Sequence, residues 1–485
     1  MYREDQLRAL LEGRRILIAG YGREGKSAER LIQRLVPEAN YVVADGNEQI
    51  ATEATKDYDL IIKSPGVPMR VLTSSSPKLG EGDRRSAVVE ECVTSLTDLF
   101  LQVYGDLTIG ITGTKGKSTT ASLIHHLLPG SILAGNIGIP LFDILNDLRE
   151  DSIVVAELSC HQLENIHRAP HIAVLLNLFQ EHLDHYDNYM GYKMAKMQIA
   201  LKQHEGDHFF YCTDNAELCD MVRNLKSGIN SCLHPYTIQD VSDEERQLLE
   251  AFPLEGEHNK SNALVACRVA CYTLLSQWQA AASSPGLGEQ LKVTSSSPKL
   301  GEGDRREAVV EECAKLLATF KGLRHRMEKV GCYKGITWYD DSISTIPEAA
   351  IAAVKALGRV DTLILGGFDR GIDYTPLVDF LNEHPINNLV FVGAAGRRIY
   401  QQLSTFLPAL QALSTVESKN NPAKNFQLST LIEDDYTKIV PWCAGHTPQG
   451  GVVLLSPAAA SYDAFKNFEH RGDFYREQII KLNQN

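Results

Sequence analysis

The chain has no CxxC pair among its ten cysteines, no excess of basic charge and no run of about 18 apolar residues. The first absence excludes paired-thiol redox and ribbon-type zinc chemistry, and the cysteines are expected to be reduced and buried, as Cys267 and Cys271 are on one helix. A net charge of -13 excludes nucleic acid as the main partner, because a phosphate backbone needs a basic surface. The charged start Met1-Tyr2-Arg3-Glu4-Asp5-Gln6 does not read as a signal peptide, so a cytoplasmic protein is expected. The strict GxxxxGK[ST] pattern is also missing, since Ile111 stands where its first glycine belongs. What is present is ordinary globular material: 485 residues with 44% hydrophobic and 22% charged content, enough for about three domains of roughly 150 residues.

The most informative stretch is Leu107 to Leu128. Leu107, Ile109 and Ile111 read as a strand, Gly113-Thr114-Lys115-Gly116-Lys117-Ser118-Thr119 as a glycine-rich turn, and Ala121, Leu123, Ile124, Leu127 and Leu128 resume at helical spacing. Strand, turn and helix in that order make a phosphate loop. Glycines let backbone N–H groups turn toward a polyphosphate, and the helix start adds its positive dipole end. Lys117 supplies a mobile charge for the outer phosphates, and Ser118 or Thr119 a hydroxyl for Mg2+.

A second nucleotide-type unit precedes it. Arg14 to Ala19 reads as a strand, Gly20-Tyr21-Gly22-Arg23-Glu24-Gly25 as a GxGxxG turn opening a helix, and Tyr41 to Ala44 as a strand ending at Asp45, where an acidic group can bind a ribose or base. A third strand, Tyr58 to Ile62, runs into Lys63-Ser64-Pro65-Gly66. By itself this half suggests an NAD-dependent oxidoreductase.

Residues 73–92 and 294–313 are near-identical copies that differ only at Ser86 and Glu307. Their flanks do not match, so no domain has duplicated. The composition predicts an exposed loop leading into a short helix from Ala87 or Ala308, inserted at domain junctions where added length costs little.

Between the copies, Ser152 to Ala156 reads as a buried strand ending in Glu157, placed where a Mg2+ ligand belongs beside a phosphate loop. The strand Ile172 to Leu176 leads to Asn177 and then Glu181-His182-Leu183-Asp184-His185, whose HxxH spacing lacks a third zinc ligand; Lys193 and Lys196 follow on a helix. In these motifs the chain resembles the Mur ligases, ATP-dependent amide-bond enzymes that build the peptidoglycan stem peptide. Gly113 to Thr119 looks like the family's phosphate loop, with Lys115 where Asn is more usual. Glu157 looks like its Mg2+ ligand, His182 like its metal-site histidine and Lys196 like the lysine carbamylated in most members. Glu257-His258-Asn259-Lys260-Ser261-Asn262-Ala263 resembles the HNxxNxxA element, whose first Asn, here Asn259, approaches adenine; without the resemblance it reads as a helix cap.

The last segment continues the likeness. Phe320 to Glu328 is similar to the FxGLPHRxE hinge, with Arg324 where Pro is common; the resemblance implies that Arg326 meets an ATP phosphate and that Asp341, in Tyr339 to Thr345, faces the nucleotide. Leu455 to Gly472 resembles the SPAxASxDxFxxFxxRG signature of the family branch that joins D-glutamate to UDP-N-acetylmuramoyl-L-alanine. By position, Thr345 and Arg370 would hold one acceptor carboxylate, and Ser461 and the Phe468 backbone the other. Phe465 and Phe468 otherwise read as core, and Arg471-Gly472 as a helix end.

The resemblance thus implies three α/β domains in a monomer. Residues 1–104 form a Rossmann-like domain binding the UDP substrate through Gly22, Arg23, Glu24, Asp45, Ser64 and Gly66, aided by Asn136 and His182. Residues 105–318 form a P-loop-type domain for ATP and Mg2+, the metal held by Ser118, Glu157, His182 and Lys196. Residues 319–485 form a doubly wound domain for the amino acid. The implied reaction passes through an acyl phosphate, with Lys117, Glu157, His182, Lys196 and Arg326 as catalytic groups. Ligases adding L-alanine or a diamino acid, and folate polyglutamylating relatives, share this chemistry and remain alternatives. No membrane partner is expected.

Overall fold

Runs of Ile, Leu and Val in four- to six-residue blocks set the strands, and because both faces of each central strand are apolar, the sheets are of the parallel kind that helices cover on both sides. The computed structural model describes residues 2–73, 92–137, 139–181, 185–186, 188–254, 256–283, 302–404 and 428–482. Two compact units result, Met1–Phe320 and Lys321–Asn485.

The first unit carries two sheets. β1 (Arg15–Ala19), β2 (Asn40–Ala44), β3 (Leu60–Lys63) and β4 (Val93–Thr94) lie in the order β2-β1-β3-β4, all parallel. β1 shows the two-residue alternation: Ile16 and Ile18 enter a core continuous with the second sheet, while Leu17 and Ala19 enter a separate core with Ala44 and Ile50. The second sheet is β5 (Thr108–Thr112), β6 (Ile132–Gly135), β7 (Val154–Glu157), β8 (Ile172–Leu175), β9 (His208–Cys212) and β10 (Cys232–Tyr236), ordered β10-β9-β8-β5-β7-β6 and parallel throughout. After β5 the chain leaves to one side for β6 and β7, then returns to the other for β8. Ligands of such sheets bind where the direction reverses, at the carboxyl ends of β5, β7 and β8.

The second unit holds β11 (Glu328–Tyr333), β12 (Ile336–Asp340), β13 (Thr362–Gly366), β14 (Asn388–Val392), β15 (Ser429–Ile432) and β16 (Val452–Leu455) in the order β11-β12-β16-β13-β14-β15. Only β11 runs antiparallel to its neighbour. Three α/β sheets are therefore present, as the strand pattern predicts, with strand ends that shift by at most two residues from the expected ones.

Two expectations change. The helix within the second repeat copy is longer than expected: Glu302–Ala318 begins six residues before Ala308, and Val309 and Cys313 pack into the core of the first unit, so this copy is not only surface loop. Residues 74–91, most of the first copy, lie outside the described residues. None of the ten cysteines is in a disulfide, but they are not uniformly buried: Cys232 and Cys332 are exposed.

At the amino ends of β8 to β10 a histidine cluster replaces ordinary packing. His208 is hydrogen-bonded through Nδ1 to His234 Nε2 at 2.9 Å and through Nε2 to the Tyr272 hydroxyl. Both ring nitrogens are thus engaged by partners that suit a neutral ring, and burial, then His234 and His171, push the pKa down to about 4. A depressed histidine favours the fold when neutral. The contribution is complete above the ordinary value of 6.5 and is lost as pH falls toward 4. Thermal melts of the full chain between pH 7 and pH 4 are expected to show a steeper acid decline for the wild type than for H208Q; parallel declines would refute the assignment.

Candidate active site

The turn after β5 has the conformation a phosphate loop requires. Gly113 (φ +153°) and Gly116 (φ +87°) occupy backbone that side chains disfavour, and a Cβ on Gly116 would stand 2.7 Å from Asn262 Oδ1. Gly116 then caps the helix Lys117–Leu127. Asn177, at the end of β8, clamps the turn: its Oδ1 accepts from Lys115 N at 2.9 Å, its Nδ2 donates to Lys115 O at 3.1 Å, and its carbonyl accepts from Thr114 N at 3.0 Å. The Thr114 hydroxyl accepts from Phe179 N and shares a 2.8 Å hydrogen bond with Tyr192.

Two lysines converge on the first glycine. Lys117 Nζ donates to Gly113 O at 3.0 Å and Thr114 O at 2.9 Å, and Lys196 Nζ donates to Gly113 O at 2.8 Å. Lys196 comes from the helix Tyr189–Leu201, lies over the Tyr192 ring and is 1% exposed, so it is not a solvated helix lysine. Burial first, and the charge of Lys117 second, push its pKa down to about 7.

Glu157 ends β7 at 2% exposure. Its Oε1 accepts from Asn136 Nδ2 at 2.8 Å, whereas Oε2 is buried with no hydrogen-bond partner among the described residues. An orphaned carboxylate oxygen is costly and marks a place for a cation. The preceding turn is built around it: Asn136 N donates to Glu157 O at 2.8 Å, and a Cβ on Gly135 would meet that oxygen at 2.4 Å. A cavity of about 240 Å³ is lined by Gly66, Lys117, Asn136, Cys160, His161 and Lys196, among others. It therefore joins the phosphate loop to residues expected to bind the UDP substrate. His182 lies outside the described residues, and Ser118 and Thr119 sit in the first turn of the helix.

The remaining amino-terminal residues do not line that cavity. Gly22 caps and Arg23 and Glu24 open the helix Arg23–Leu35 that follows β1, Asp45 follows β2, and Ser64 follows β3. Gly25 packs so tightly that a Cβ would reach within 2.1 Å of Gly20 O, and Ser64 Oγ donates to the same carbonyl at 2.8 Å. Asp45 accepts from Tyr21 N. Glu24 accepts from Gln162 at 2.9 Å, its other oxygen is buried with no hydrogen-bond partner among the described residues, and burial raises its pKa. Asn259 is in the first turn of the helix Glu257–Ser283 rather than its first residue, one turn before the Asn262 that touches Gly116.

In the second unit the expected acceptor residues gather at the carboxyl ends of β12, β13 and β16. Arg370 donates to Thr345 O at 2.7 Å, Phe368 pairs with Ala460 next to Ser461, and Ser342 Oγ donates to Phe468 O at 2.8 Å. Arg326 is exposed, while Asp341 is buried and accepts from Met327 N and Ser456 Oγ, its pKa raised to about 6 by burial. Phe465 and Phe468 are half-buried rather than core. Arg471 is more than a helix end: in the first turn of the helix Phe468–Leu482 it is 1% exposed and donates to Ser342 Oγ, Ser342 O, Ala459 O and Ala460 O. Gly472 makes room for the pair beside it, since a Cβ there would be 2.1 Å from His325 Nδ1, which is bonded to Asp340 at 2.7 Å.

Sequence reasoning missed Asn177, Tyr192 and Asn262 as parts of the loop's support. The signal for Asn177 was a polar residue directly after an all-apolar strand, and for Tyr192 its placement one turn before Lys196.

Comparison with known proteins adds independent findings. A sequence profile of the Mur ligase middle domain matches residues 111–270. A protein of Salinispora tropica named UDP-N-acetylmuramoyl-L-alanine--L-glutamate ligase is 32% identical over 97% of this chain and 98% of its own. One of Latilactobacillus sakei named UDP-N-acetylmuramoylalanine--D-glutamate ligase is 28% identical over 98% and 99%. Among solved structures, MurF from Acinetobacter baumannii superposes with a TM-score of 0.51 at 14% identity, covering 99% of this chain and 98% of that one, a likeness of fold.

Proposed function

The chain belongs to the Mur ligase family, and from that membership we propose that it is the ATP-dependent ligase that joins glutamate to UDP-N-acetylmuramoyl-L-alanine in peptidoglycan precursor synthesis. The observation that carries the reading is the convergence of Lys117 and Lys196 on Gly113 O, in a cavity shared with Gly66 and Asn136 and beside the orphaned oxygen of Glu157.

The roles follow from chemistry. The substrate carboxylate attacks the γ-phosphorus, giving an acyl phosphate; the glutamate amine then attacks the acyl carbon, and phosphate leaves. Lys117 swings from its own loop carbonyls to the transferred group, where its charge offsets the negative charge spreading over three oxygens. Asn177 takes up the Thr114 and Lys115 N–H groups and so fixes the shape of the turn, which leaves the N–H groups at the start of the helix Lys117–Leu127 for phosphate. Glu157 and Ser118 suit Mg2+, a hard cation that takes oxygen ligands, and the bound ion would supply charge neutralisation to the phosphates. Lys196 is poised to accept CO2: with a pKa near 7 a large share of its amine is neutral at physiological pH, and the resulting carbamate exchanges a buried cation for an oxygen donor. His182 joins this set by the family resemblance. The turn Gly22 to Glu24, Asp45 and Ser64 hold the uridine nucleotide in residues 1–104, ATP occupies 105–318 with Asn259 toward the adenine, and the acceptor binds in 319–485 through Thr345, Arg370, Ser461 and Phe468. Asp341 fixes the backbone next to Arg326, which remains free to bind phosphate. The enzyme works as a cytoplasmic monomer on small molecules; no helix among the described residues is long and apolar enough to cross a membrane.

The acceptor in this reading is D-glutamate, as the Leu455 to Gly472 signature suggests. A second reading, L-glutamate, is favoured by the names of the Salinispora relative and of a Micromonospora protein 30% identical over 97% of this chain. Phosphate release from ATP with UDP-N-acetylmuramoyl-L-alanine and each glutamate enantiomer separates them. Turnover with D-glutamate supports the first reading and with L-glutamate the second; turnover only with UDP-N-acetylmuramate and L-alanine, or with a folate, would overturn both.

A further inference from the structure

Cys160 lines the cavity described above, yet none of the roles assigned there uses it. Its sulfur is 3.7 Å from His161 Nδ1, and Lys117 and Lys196 line the same space. Cations and a proton acceptor around a thiol that a small molecule can reach are the setting in which cysteines oxidise. A separate feature points the same way. Tyr186 is 7% exposed and packs in one small cluster with Cys160, and its hydroxyl has no hydrogen-bond partner among the described residues. A buried O–H with nothing to donate to is unusual. An oxygen added to sulfur is the acceptor it lacks.

We propose that Cys160 is a reversible oxidation site, where peroxide converts the thiol to a sulfenic acid held by Tyr186 and so switches the ligase off. His161 Nδ1 accepts the thiol proton as sulfur attacks one peroxide oxygen. The S–O bond forms while the O–O bond breaks, and the departing hydroxide takes the proton from His161 to leave as water. Sulfur loses two electrons and peroxide gains them. A low-molecular-weight thiol reverses the change, first forming a mixed disulfide with loss of water, after which a second thiol frees Cys160. The added oxygen falls on the wall shared with the two lysines, so substrate phosphates are kept from them. The switching-off rests on the reading of this cavity as the ligase site; the oxidation does not.

The test uses the full chain with the exposed Cys232 and Cys332 replaced by serine, treated with hydrogen peroxide and then dimedone, with adducts mapped by peptide mass and activity followed by phosphate release. Expected are dimedone on the Cys160 peptide, a loss of activity of more than about tenfold, and recovery with dithiothreitol. Cys160→Ser should resist peroxide, its turnover after treatment equal to its own turnover before it. Tyr186→Phe should oxidise but lose dimedone trapping and recovery, because an unsupported sulfenic acid proceeds to the sulfinic acid. No label on Cys160 overturns the site, and this readout needs neither a Cys160 variant nor turnover. Label without inactivation overturns the switch, and absence of any turnover before peroxide counts against the ligase reading alone.

Discussion

Replacing Lys117 by methionine is expected to lower kcat/KM for phosphate release by about a thousandfold, close to 4 kcal/mol of transition-state stabilisation, while the melting temperature moves little. The two halves of that expectation have different causes. In the free protein Lys117 is half-buried and spends its donors on Gly113 O and Thr114 O, the carbonyls of its own turn. Gly113 O keeps a second donor in Lys196, and the turn keeps its Asn177 clamp, so methionine of similar length preserves the loop. Nothing replaces the charge once phosphate develops negative character. The loss should fall on kcat more than on the KM for ATP, since charge at the outer phosphate grows during transfer. Titration of the variant with ADP, by calorimetry, should show binding weakened less than turnover. A variant that retains more than about a tenth of wild-type kcat would mean that this turn is not the phosphate site.

How far the sequence carried the reading depends on whether the physics was local. β5, the glycine turn and its helix were legible because period, turn chemistry and helix onset agree over a dozen residues. Glu157 was legible for a related reason: a carboxylate ending an apolar strand has few structural excuses. Asn177, Tyr192 and Asn262 were not, since each acts across 62 or more residues on a loop it does not neighbour in the chain, or, for Asn262, through a close approach to Gly116. Lys196 shows both sides. Its helix was evident, but its burial against Gly113 and Tyr192, which moves its pKa, is a tertiary fact. The second repeat copy misled for the opposite reason. Its polar composition reads as loop up to Ala308, yet the helix already starts at Glu302, and Val309 and Cys313, one turn apart on one face of it, find a core to enter.

The same contrast explains Arg471, which composition places at a helix end and the fold places in the middle of a polar junction. Its guanidinium reaches four acceptors, on Ser342, Ala459 and Ala460, and these tie the loop after β12 to the loop after β16. Ser342 in turn holds Phe468 O, so the arginine indirectly sets the backbone proposed to grip the acceptor carboxylate. Arg471→Met removes the donors and leaves three buried carbonyls and a hydroxyl without them. The expected cost is about 3–5 kcal/mol, the range found when one side of a buried charged network is deleted. Urea unfolding should show it as a lowered midpoint for the transition that includes residues 321–485, with the transition of residues 1–320 displaced far less if the two separate. Arg471→Lys keeps the charge but cannot span the fork of acceptors, so it should recover part of the stability and still raise the KM for glutamate relative to the wild type. A methionine variant within about 1 kcal/mol of wild type would show that water replaces the guanidinium without loss, and that the junction is held by packing of Ala458, Ala459 and Leu454 instead.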